Sequence, residues 1–119
     1  MKILLMVTLV LHFLMELMAA VALIGGPEGI GNAGAGNMWS MHYGFAALAI
    51  ASISVWVWPK RTDAGVLIVA LSFLLLFHYG LTLSLYLAGD QAGGMIGHAV
   101  LGVLCTILFF RRGKLATEA

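Results

Sequence analysis

The stretch TLVLHFLMELMAA, residues 8–20, decides how this chain must fold. It is apolar enough for the interior of a membrane, yet it carries a histidine and a glutamate. His12 and Glu16 are four residues apart, so on a helix they lie one above the other, with Thr8 and Ala20 extending the same stripe. A charged group at the centre of a bilayer costs about 2.5–3.5 kcal/mol on insertion scales. The pair therefore needs partners inside the protein, and the rest of the chain must supply them.

Composition sets the frame for that search. Of 119 residues, 62% are hydrophobic and 9% charged, which places the chain outside the soluble globular class and among membrane proteins. Four apolar stretches, 3–24, 38–58, 66–88 and 95–110, are long enough to cross a hydrocarbon core of about 30 Å, the last only just. What lies between them is too short for an extramembrane domain. Residues 1–119 thus read as one all-α transmembrane domain, four helices in an up-down bundle joined by short turns. Any chemistry must sit inside the bundle or at its mouths.

The basic residues orient it. Lys2 precedes the first span, Lys60 and Arg61 join the second to the third, and Arg111, Arg112 and Lys114 follow the fourth. The connections 25–37 and 89–94 have none. The positive-inside rule puts both termini in the cytoplasm. So little basic surface argues against nucleic acid as a partner, and the C-terminal cluster suits anionic lipid headgroups. Trp39, Trp56 and Trp58 mark the two interfaces of the second span. Lys2, the apolar run and Ala20-Val21-Ala22 imitate a signal peptide. His12 and Glu16 interrupt that run, which continues to Ile24, so the segment reads as a retained first span. Cys105 is the one cysteine; it can form no disulfide within the chain and reads as a buried thiol.

The connection GGPEGIGNAGAGN, 25–37, holds six glycines in thirteen residues. Gly29, Gly31 and Gly34 spell a formal G-x-G-x-x-G, but no strand precedes it and no βαβ unit surrounds it, so it is not a nucleotide fingerprint. Two stripes of small residues carry more meaning. Gly80, Ser84 and Ala88 recur every four residues in the third span, as do Gly94, His98, Gly102 and Thr106 in the fourth. Such stripes let helices approach closely where no hydrophobic drive exists between them. On this reading His78 and Thr82 lie on the face of the third span opposite its small residues.

Each span offers one histidine. At about 1.5 Å per residue, His42 and His98 fall about 5–6 Å below the outer surface, Glu16 about 12 Å, His78 about 15 Å and His12 about 18 Å. The plain reading is interhelical hydrogen bonding, worth about 0.6–2 kcal/mol per pair. Five such groups at linked depths are more economically read as a polar cavity open to the outside, with His12, Glu16, His78 and Thr82 as its ligand or proton pocket. Its occupant would be a small ligand, an ion or a partner subunit, with no resident cofactor. Two alternatives use the outer mouth. Met38, Met41 and His42 with Met95 and His98 offer thioether and imidazole groups suited to Cu(I). His42 and His98, at matching depth, could ligate a single haem b. A second haem on His12 and His78 would lie only about 10 Å deeper, too close to stack.

The segments His42-Tyr43-Gly44-Phe45-Ala46-Ala47-Leu48-Ala49, Phe77-His78-Tyr79-Gly80 and His98-Ala99-Val100-Leu101-Gly102, in spans of these lengths, resemble the small four-helix DoxX-like bacterial membrane proteins. The resemblance implies a four-helix bundle in the bacterial inner membrane, in a family of which a few members accompany quinone-linked oxidoreductases. Glu16 in the first of four short spans is similar in position to the carboxylate of the small multidrug resistance transporters, which exchanges protons for cationic drugs. That resemblance implies a proton-coupled transporter, which would need a dimer to form a path. The expectation is thus a non-enzymatic inner-membrane protein with lipid around it, and a second copy or a membrane-complex subunit as its protein partner.

Overall fold

The computed structural model describes residues 1–25, 38–89 and 91–117. The glycine-rich stretch 26–37, Asp90 and the last two residues lie outside them, and so do the side chains of Met38 and Thr117. The described chain is all-α: α1 (Lys2–Gly25), α2 (Met38–Ala51), α3 (Ile53–Val57), a short 3-10 turn (Trp58–Lys60), α4 (Ala64–Ala88) and α5 (Ala92–Thr117). Four stretches are long and apolar enough to cross a membrane, with α2, α3 and the 3-10 turn together making the second. This is the build of a multi-pass membrane protein. Its surface agrees, because large apolar side chains such as Leu14, Met18, Leu76, Leu87 and Phe110 stand exposed while Thr8, His12, Glu16 and His78 are buried, the reverse of a soluble domain.

The described residues fall into two compact units, Met1–Leu9 with Trp56–Ala119, and Val10–Val55. In the second unit the first helix approaches the start of α2 closely. Gly44 is buried, and a Cβ there would stand 2.7 Å from Ile24 Cγ1 and 3.1 Å from the Ile24 backbone nitrogen. Ala47 and Ala51 continue the small, fully buried face of α2, so backbone nearness replaces side-chain interdigitation here. The span 38–58 was expected to be one helix, and it is broken at Ser52. The Ser52 hydroxyl donates to the Ala49 carbonyl at 2.6 Å, a back-bond that competes with the helical ladder. The chain then resumes through a tighter bond from the Val55 amide to the Ser52 carbonyl.

In the other unit α4 and α5 form an antiparallel hairpin. α4 starts on an N-cap, Asp63 Oδ1 accepting from the amides of Gly65 (2.8 Å) and Val66 (3.1 Å). It ends at Gly89, whose φ of 71° is the left-handed conformation that glycine adopts freely. The order of contacts shows the antiparallel register: Leu85 lies against Gly94, and Tyr79 against Gly102. The fourth span was expected over 95–110, but α5 is longer at both ends. Hydropathy marks where the hydrocarbon ends, not where the helix does. At the C-terminal end Arg112 donates to the Phe109 carbonyl and lays its guanidinium 4.4 Å over the Phe109 ring, and Leu115 is buried.

The two small-residue stripes meet different fates. On α5, Gly94 and Gly102 face α4; a Cβ at Gly102 would stand 3.0 Å from the Tyr79 ring. Thr106 donates to the Gly102 carbonyl and shares a 3.1 Å hydrogen bond with the Tyr79 hydroxyl. On α4, Gly80, Ser84 and Ala88 are exposed, and nothing lies within 4 Å of a Cβ built at Gly80. The reason lies in the hairpin itself: α5 packs on the side of α4 that carries His78 and Tyr79, leaving the small residues turned outward.

Candidate functional site

Two polar constructions lie within the two units. The first is on α1. Its stripe of Thr8, His12, Glu16 and Ala20 is at most 1% exposed along its length. Thr8 spends its hydroxyl on its own helix, donating to the Leu4 carbonyl at 2.8 Å. His12 reaches across to α2, with Nε2 3.1 Å from the Ile50 carbonyl oxygen. A carbonyl only accepts, so Nε2 carries the proton, and in the neutral ring Nδ1 holds the lone pair.

Ile50 explains why this bond exists. It lies in the last turn of α2, beside the interruption at Ser52, and the last carbonyls of a helix in general need partners from outside its own ladder. Ser52 Oγ serves Ala49 and His12 Nε2 serves Ile50. A broken helix inside a membrane is tolerated where side chains satisfy the released backbone. Glu16 sits one turn from His12 on the same buried face, so α1 presents an imidazole and a carboxyl group side by side.

The second construction joins α4 to α5. His78 Nδ1 and His98 Nδ1 are 2.9 Å apart, with the residues 0% and 8% exposed. The Phe77 ring stands edge-on to both, its centroid 5.2 Å from His78 and 5.8 Å from His98. Thr82 donates to the His78 carbonyl at 2.8 Å, which ties its hydroxyl to the turn below. Below this level Tyr79 and Thr106 continue the polar seam.

The sequence reading placed His98 about 9–10 Å nearer the outer surface than His78 by its rise arithmetic. Their direct hydrogen bond puts the two rings at one level. Part of the discrepancy comes from α5 starting at Ala92, three residues before the expected end of the span. The hairpin register held the missing signal. With Leu85 against Gly94 and Tyr79 against Gly102, position 78 comes near 102, and His98 lies one helical turn away on the same stripe.

The residues of the outer-mouth alternatives are divided between the two units. His42 is exposed on α2 and meets the edge of Trp39, ring centroids 6.1 Å apart. Met41 is half-buried. Met95 lines an apolar groove of about 360 Å³ between α4 and α5, with Tyr79, Thr82, Tyr86 and Ala99 among its walls. Cys105 is fully buried. Comparison with known proteins found no matching family, no matching curated protein and no matching solved structure.

Proposed function

We propose that this chain is a membrane-embedded binding protein whose buried His12 and Glu16, one turn apart on α1, hold a small polar ligand or an ion. The observation that supports it is burial: an imidazole and a carboxyl group on one face of α1, each at most 1% exposed, sit in a helix otherwise fit for lipid. Ionisable side chains in such segments are costly to insert and are characteristic of ion, proton or ligand sites. The setting is an up-down bundle in a bacterial inner membrane with both termini cytoplasmic and the pocket open to the outside, as the basic residues and the DoxX-like resemblance imply.

The probe is Zn²⁺, which takes imidazole and carboxylate ligands together. Detergent-purified protein should melt at a higher temperature with Zn²⁺ present, by mass action on the folded state. Glu16→Gln and His12→Gln should each abolish the shift. No shift in the wild type, or one that survives both substitutions, would overturn the ion reading. A proton-coupled transporter is the second reading, favoured by the place of Glu16 on the buried face of the first span. A haem b or copper accessory subunit is the third, and an absorption spectrum with elemental analysis of the same preparation separates it: a Soret band marks haem, bound copper the methionine and histidine set.

A further inference from the structure

We propose that His78 and His98 form a proton-transfer pair, in which a proton taken up at one Nε2 atom leads to release of another at the second ring's Nε2. The inference rests on the α4–α5 hairpin alone and goes beyond ligand binding. Two nitrogens 2.9 Å apart are at hydrogen-bond distance. Two N–H groups pointed at each other would clash, and two lone pairs would repel, so one Nδ1 is protonated and the other is bare. A neutral imidazole has one proton on its two nitrogens. While both rings are neutral they are therefore opposite tautomers: the donor ring's Nε2 carries no proton, and the acceptor ring's Nε2 carries one.

The transfer balances. A proton binds the bare Nε2 of the donor ring. That ring's Nδ1–H bond breaks as its proton moves to the other Nδ1, where a new N–H bond forms. The acceptor ring, now carrying a proton on both nitrogens, releases the one on its Nε2. One proton has entered and one has left, no electrons have moved between rings, and both rings are neutral again. Their tautomers have exchanged, so the hydrogen bond now runs the other way. A second proton can pass only in reverse unless the rings turn over. Packing against Phe77 opposes that turnover, so the pair behaves as a reversible one-proton shuttle and not as an open wire.

The test is ¹⁵N magnetic resonance of the full chain, histidine-labelled, in lipid nanodiscs. The wild type should show a coupling across the Nδ1–H···Nδ1 bond. All four ring nitrogens of the pair should resonate between the protonated and bare positions, because the tautomers interchange. His98→Asn places an amide where Nδ1 was, keeping a hydrogen bond to His78 while removing the second nitrogen. In that variant His78 should settle into one tautomer with fixed shifts. Rings of the wild type fixed in one tautomer arrangement, or no coupling between them, would overturn the proposal and leave the Zn²⁺ test of the binding pocket unaffected. If His98→Asn fails to fold, the wild-type spectrum alone decides.

Discussion

At the scale of single residues, the glycines separate packing from mere tolerance. Gly44 has no room for a side chain: an added Cβ would meet the Cβ of Leu23 at 3.0 Å and the backbone nitrogen of Ile24 at 3.1 Å. Backbone cannot rotate away as a side chain can, so the helices themselves would have to part. Gly44→Val should therefore destabilise the protein by about 1–3 kcal/mol, the usual cost of overpacking. Gly80, with nothing within 4 Å, supplies the contrast. Gly80→Ala should leave stability unchanged or raise it by up to about 1 kcal/mol through helix propensity. Thermal melting in one detergent checks both. Equal losses at the two positions would mean that Gly44 is not a point of helix contact. Sequence could raise the suspicion but not decide it, because both glycines sit in plausible small-residue patterns and only the neighbour's position tells them apart.

At the scale of elements, capping and interruption were differently legible. Asp63 opens α4 with two amide hydrogen bonds to Oδ1 at the end of a short polar turn, where the chain is exposed. Asp63→Ala should cost about 1 kcal/mol, and Asp63→Asn should restore most of it, since both aspartate and asparagine cap well. Chemical unfolding in mixed micelles would show it; a loss in the Asn variant as large as in the Ala variant would mean that charge, not the cap, matters. The four spans themselves stood out in the sequence, because about 20 apolar residues in a row have few other uses. The break at Ser52 did not. A serine in an apolar run is ordinary, and its effect depends on His12 reaching the Ile50 carbonyl from a helix 38 positions away in sequence. The polar site was legible as a set of residue types and illegible as a set of partners. His12 and Glu16 announced themselves on α1, whereas the meeting of His78 with His98 needed the register of a hairpin whose ends hydropathy had misplaced.

At the scale of the whole molecule, the basic residues carry a prediction of which way the chain faces. Lys2, Lys60, Arg61, Arg111, Arg112 and Lys114 flank spans at ends that alternate along the chain, so four crossings would bring all six to one side. Two of them are held in place by local contacts. Arg61 donates to the Trp58 carbonyl at 2.9 Å and lies 4.6 Å over the Trp58 ring, and Arg112 does the same at Phe109. An arginine that lies along an aromatic ring still keeps its charge towards water, so these pairs fix where the apolar part of each span stops. Reversing the chain would carry six positive charges across the membrane against the bias that governs short connections. Reporter fusions at Asp63 and after Ala119 should therefore read cytoplasmic, and fusions within 29–36 external. Replacing Lys60 and Arg61 with glutamine should weaken the preference, while adding two lysines within 29–36 to that variant should yield a mixed or inverted population. A cytoplasmic signal from 29–36 in the unmodified chain would overturn the proposed orientation.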